Sequence, residues 1–217
     1  MEGWDRSHAV ERVESLVETV ESETMPVPVR EIWIYGDIAL GLDPVERLDI
    51  YLTKDILLHD DVEAEEDFFE THGVKSVGKT VRASWANDNL EKVRTTANGH
   101  AAPEKCLGAH LVDESEPIHL EVCNASFDDN VTQRLRGALP RERYEEVLDP
   151  RGACLWVDGQ RSEDAFEKLR SGSFVFPTLP DALEMLGADE TAAREAAETI
   201  EASRAEQAGA SVRGDVV

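Results

Sequence analysis

The sequence predicts an α/β or α+β fold, a mixed β-sheet with flanking helices, on three observations. An amphipathic stretch at 5–22 runs into an apolar run at 29–35. A second apolar run, 48–53, follows a short connection, so helix, strand and strand lie in close succession. Further short apolar runs then alternate with segments of helical period, which argues for one layered sheet and not for a bundle.

In residues 5–22, Val10, Val13, Leu16, Val17 and Val20 recur at helical spacing, with Glu11, Glu14, Glu18 and Glu21 opposite. Met25-Pro26-Val27-Pro28 ends that helix, and VREIWIY (29–35) reads as a buried strand closed by Gly36. A compact connection at 37–47 leads to LDIYLT (48–53), the second strand. Residues 60–71 form an acidic helix anchored by Val62, Phe68 and Phe69. VRASWA (81–86) suggests a strand and 88–96 a short helix. The runs at 107–112 and 118–125 flank DESEP and read as an antiparallel hairpin. Helices are expected at 129–139 and 141–148, parted by Pro140, then a strand at 154–157. Helix, strand and helix follow at 163–170, 174–176 and 180–186. The Ala- and Glu-rich stretch 189–207 has Ile200 as its only large apolar residue, so it is weakly anchored or lies against a partner. SVRGDVV reads as a frayed tail. The expected organisation is an α/β part at 1–127, a helical or α+β part at 128–188, and a terminal helix with its tail at 189–217.

The chain has 217 residues, and 46 Asp and Glu face 22 Lys and Arg for a formal charge of −24. Only six of the basic residues are Lys. Such a charge strains a small protein in dilute salt, and molar salt screens it within about 3 Å. The composition is similar to that of cytoplasmic proteins of haloarchaea and other salt-in halophiles, which implies a halophile's cytoplasm. The acidity argues against a general nucleic-acid surface, because phosphate neutralisation needs clustered Lys and Arg. No apolar run approaches the length of a membrane span, and MEGWDRSHAV lacks the features of a secretion signal. Cys106, Cys123 and Cys154 are odd in number and far apart, which suits neither a disulfide framework nor a zinc knuckle. Two basic islands interrupt the acidity, residues 72–105 and 134–143. Each either faces an anion or pairs with acidic helices elsewhere.

Residues 29–54, VREIWIYGDIALGLDPVERLDIYLTK, carry the main functional signal. With the preceding helix they resemble the core of the nucleotidyltransferase superfold, notably its minimal and archaeal forms. That core has a buried strand, Gly-Ser opening a helix, a spacer, and Asp-x-Asp on a second strand. Gly36 matches the family glycine, Ala39 and Gly41 fall where small residues recur, and Asp49 begins the second strand's motif. The resemblance implies a nucleotide at Gly36 and Asp37. It also implies Mg²⁺ on Asp49 and on Glu121, the third acid from a later strand, with both residues catalytic. Two carboxylates at alternate strand positions share one face and hold Mg²⁺ for in-line attack at phosphorus. Two positions depart from the pattern. Asp37 stands where the family has Ser, and Tyr51 where it has the second carboxylate; shifting the alignment by two puts Arg47 at the first acid.

Gly73 to Thr80 (GVKSVGKT) also satisfies G-x-x-x-x-G-K-[ST], in which Lys79 would reach phosphates and Thr80 would bind Mg²⁺. A P-loop needs a strand before it and a helix after it, and neither flank reads that way. His110 and His119, opposite each other across the expected hairpin, are a possible metal pair with Glu121 or two surface histidines. Trp33, Trp85 and Trp156 read as strand residues that are core or half-buried, not as stacking platforms.

Together these readings predict a catalytically weakened or inactive nucleotidyltransferase-like cytoplasmic protein that binds a nucleotide or a macromolecular (protein) partner. One alternative is an active Mg²⁺-dependent nucleotidyltransferase. Another is a non-enzymatic adaptor that associates through its C-terminal helix. A P-loop NTPase is the remaining reading, and the oligomeric state stays open.

Overall fold

The computed structural model describes residues 3–55, 58–206 and 209–214. In chain order these form α1 (Arg6–Ser22), β1 (Val29–Tyr35), β2 (Leu48–Lys54), α2 (Ala64–His72), α3 (Ala83–Asp88), α4 (Pro103–Leu111) and β3 (Ile118–Cys123). There follow α5 (Phe127–Ala138), β4 (Gly152–Val157), β5 (Gln160–Arg161), α6 (Glu163–Ser171), α7 (Leu179–Met185), α8 (Glu190–Ala205) and β6 (Ser211–Gly214). The strands make one mixed sheet in the order β5-β4-β1-β2-β3-β6. β1 runs antiparallel to β2 and β4, whereas β2, β3 and β6 are mutually parallel neighbours. The sheet takes strands from all three segments expected at 1–127, 128–188 and 189–217.

Strand alternation gives the sheet two unlike faces. Ile34, Ile50 and Leu120 lie across from one another, as do Ile32, Leu52 and Val122. This apolar face buries Val13, Leu16 and Val17 of α1, Leu107 of α4, and Phe166 and Leu169 of α6. At about 1.5–3 kcal/mol for each large apolar side chain removed from water, it is the main source of cohesion. Asp5 caps α1 by accepting from the His8 backbone N–H at 2.9 Å.

The opposite face is polar where it nears the parallel strands. Tyr35, Asp49 and His119 form one row, and Trp33, Tyr51 and Glu121 the next. Phe127 and Val131 of α5 cover part of it with Leu148. Outside α5, α7 and α8 pack through Leu183, Ala193, Ala196, Ala197 and Ile200. The small-residue face of α8 is therefore buried within the chain, where the adaptor reading needs it free. A third cluster, with Phe68, Val77, Val81 and Trp85, holds α2, α3 and the loops around them.

Several local expectations are corrected. Residues 107–111 are not a hairpin strand but belong to α4, with Val112 its C-cap; Pro103 opens the helix at a first-turn position where its missing N–H costs nothing. VRASWA is no strand: α3 begins at Ala83, whose N–H donates to Asp60 at 3.3 Å. Trp85 is thus a helical core residue. Residues 142–148 make turns instead of a helix, and 174–176 lie outside any strand. Within the expected frayed tail, 211–214 form β6, which extends the sheet beyond β3. Among the described residues no helix is long and apolar enough to cross a membrane.

Candidate functional site

The rows Tyr35–Asp49–His119 and Tyr51–Glu121 bring the two predicted acids onto neighbouring parallel strands. Glu121 stands directly across from Tyr51, the residue where the resemblance implies a second acid. Both Asp49 and Glu121 are fully buried. Isolated carboxylates in such a place are prohibitively costly, so the site is defined by what neutralises them.

Asp49 is held from both sides. Arg47 Nη2 lies 2.6 Å from Oδ1, and Arg204 Nη2, from the last turn of α8, donates to Oδ2 at 3.0 Å. The same Arg204 nitrogen donates to Asp37 Oδ1 at 2.7 Å, so one guanidinium bridges the two aspartates. Gly36 makes this approach possible. Its φ of +68° suits glycine, and a Cβ there would overlap both Asp49 Oδ2 and Arg204 Nη2. Residues 36–41 form a compact turn in place of the helix that the resemblance implies at this point. Burial pushes the Asp49 carboxyl upward, and the charges of Arg204, Arg47 and His119 oppose that. Burial disfavours the charge on Arg204 too, but Asp49, Asp37 and Asp149 outweigh it and hold the guanidinium charged.

Glu121 has its own set. Arg134 Nη2, from α5, donates to Oε2 at 2.9 Å, and His119 Nε2 lies 3.2 Å from Oε1. Arg213 of β6 approaches Oε1 at 3.7 Å. Burial alone would raise this carboxyl, but the His119 hydrogen bond and the charge and bonds of Arg134 hold it at about 2. His119 is fixed in turn by Ser211 Oγ, 2.5 Å from Nδ1. Tyr51 carries its hydroxyl away from the acids, donating to the Ala125 carbonyl at 2.8 Å. A cavity of about 30 Å³ remains between Tyr35, Arg47, Asp149 and Arg204, with room for water but not for a nucleotide.

The residues present do not fit a Mg²⁺ centre. Both Asp49 oxygens face guanidinium groups, Glu121 is ion-paired on each oxygen, and Tyr51 fills the place of an acid. Among the described residues no three His, Cys, Asp or Glu converge as a metal would require. The histidine pair does not form: His110, on α4, meets Trp85 and Glu23, and His119 is in the Glu121 network.

Lys79 and Thr80 lie between Val77 and Val81 of the third cluster and join none of these contacts. Lys79 is ion-paired with Glu65, and Thr80 donates to the Ser76 carbonyl at 3.2 Å. No strand precedes GVKSVGKT: α2 runs into Gly73, and the next helix, α3, begins only at Ala83. Gly78 is required by the Asp61 carbonyl, with which a Cβ would collide, not by a phosphate. The P-loop reading therefore fails on its context.

The resemblance thus singled out Asp49 and Glu121 but not the cations beside them. Arg134 was visible as part of a basic island and Arg47 as an alignment oddity, whereas Arg204 and Arg213 gave no local signal. No curated protein and no solved structure matches the chain. Residues 5–217 match a family described as Family of unknown function (DUF7095), and the chain belongs to that family.

Proposed function

We propose that this protein is a non-catalytic, nucleotidyltransferase-like protein of a salt-accumulating cytoplasm, working by binding a nucleotide or macromolecular partner and not by turnover. One observation carries the reading: the Arg204 guanidinium lies between Asp37 and Asp49, against Gly36, where the resemblance implies the metal and phosphates. A guanidinium keeps its charge at every accessible pH and supplies fork-shaped donors to both carboxylates. Mg²⁺ needs oxygen ligands in near-octahedral array, and these oxygens are already engaged. Order along the chain supports the resemblance: an amphipathic helix precedes β1, and the third acid arrives on a strand beside β2. The absence of a helix at Gly36 and the presence of Tyr51 argue for a binding role over catalysis.

The test is thermal unfolding and nucleotidyl transfer in molar KCl, with and without Mg²⁺, using each nucleoside triphosphate. The expected result is no transfer and no Mg²⁺-dependent stabilisation. Transfer by the wild-type chain that disappears in Asp49→Asn would overturn the reading.

A further inference from the structure

The second basic island is absorbed only in part by the buried site, and its remainder forms a surface feature of its own. Asn130, Gln133, Arg134 and Gly137 recur at helical spacing along one face of α5. That face floors a groove of about 500 Å³, closed on its other side by Arg141 and Arg143. Its size is that of a small-ligand site.

Three features of the groove point to an anion. Arg134 is a fixed positive charge in its floor, locked by Glu121 and by the Glu146 carbonyl. Arg141 makes no ion pair among the described residues, in a chain that carries a net −24. Third, the Asn130 side chain is only 8% exposed, yet its Oδ1 has no hydrogen-bond partner among the described residues. A buried amide without a partner is costly, and a flip about its last torsion offers either a donor or an acceptor to the groove. Of the rim acids, Glu146 is 3.4 Å from Arg213, and Glu145 meets Arg143 only loosely, at 3.9 Å, which leaves that guanidinium able to turn to a ligand.

We propose that this groove binds a small phosphate ester. Arg141 and Arg143 grip the phosphate, which suits their fork geometry, and the amides of Asn130 and Gln133 hydrogen-bond the rest of the molecule. A long nucleic-acid backbone is disfavoured, because beyond the groove it meets the surface of a chain with a net charge of −24. The inference goes beyond the proposed function and stands without it: the groove adjoins the buried site through Arg134 and Glu145, but Arg141 and Arg143 belong to the groove alone.

Calorimetric titration of the full chain with pyrophosphate, a nucleoside monophosphate or a uridine oligonucleotide tests it, with ionic strength held constant by KCl. Arg141 and Arg143 are exposed, so the double variant Arg141→Ala/Arg143→Ala keeps the fold, checked by an unchanged Tm without ligand. The expected result is saturable binding of pyrophosphate and the monophosphate, weakened about tenfold or more in the double variant. Equal affinity in the variant, no binding by the wild type, or tighter binding of the oligonucleotide than of pyrophosphate would each overturn the assignment. Mg²⁺-dependent transfer lost in Asp49→Asn, which decides the proposed function, leaves these outcomes untouched.

Discussion

Arg204→Ala removes the cation that Asp37 and Asp49 share. Deleting one partner of a buried ion pair costs about 3–5 kcal/mol, because the remaining charge is stranded in a poor solvent. Asp49 keeps Arg47 at 2.6 Å, and the Asp37 side chain is 15% exposed, so the lower end applies. A loss of about 3 kcal/mol in a domain of this size lowers Tm by roughly 6–12 °C. The loss has a pH signature. Asp49 already has a raised pKa in the folded protein, and without Arg204, the largest opposing charge, it rises further. A raised carboxyl takes up its proton more readily when folded. The variant's deficit is therefore small at acid pH, grows as pH rises from the wild-type folded pKa to the variant's higher one, and is constant above that. Urea unfolding at fixed KCl across about pH 4 to 8 measures this directly. In a double-mutant cycle, Asp49→Asn recovers part of the loss, because the stranded charge is gone. An Arg204→Ala chain as stable as the wild type near pH 7, or a deficit that does not vary with pH, would refute the account of the site.

Other expectations concern neighbouring groups. Glu121 is held at about 2 against an ordinary 4.5, so its ionised form contributes about 3 kcal/mol at neutral pH. That contribution is complete above about pH 4.5 and fades as pH falls toward 2; in Glu121→Gln the fade is absent, as acid titrations of stability in the two chains will reveal. Gly36→Ala places a Cβ against Asp49 and Arg204 at a left-handed φ, and is expected to cost about 2–5 kcal/mol by denaturant unfolding. Lys79→Ala breaks only a partly exposed ion pair with Glu65. It should change stability by no more than about 1 kcal/mol and leave any nucleotide-induced Tm shift intact; loss of that shift would restore the P-loop reading.

Much of the fold was legible because periodicity survives wherever one face is buried. Val10 to Val20 of α1, the runs of β1, β2 and β3, and the amphipathic α5 all read true. Short apolar runs misled. Leu107 and Leu111 are four residues apart on a helix, yet in so short a window they pass for a strand. Phe174 and Phe176 alternate like a strand but pack against the core without pairing. Ser211 to Gly214 hold little apolar material and become a strand only because β3 offers an open edge. In the site, Asp49 and Glu121 were singled out by the resemblance, whose motifs are local. Their cations were not: Arg204 lies 155 residues from Asp49, and no sequence period records a contact of that kind.

The late position of those cations bears on how the molecule is made. Asp37, Asp49 and Glu121 leave the ribosome well before Arg204 and Arg213, by on the order of ten seconds at ordinary rates of synthesis. Until α8 and β6 emerge, Asp37 lacks Arg204, Asp49 has Arg47 alone, and Glu121 lacks Arg213, so the central acids are only partly compensated. The nascent chain is thus held back from burying its polar face, and docking of the last helix and strand releases it. Docking of α8 and β6 thus completes the charge balance of the central strands.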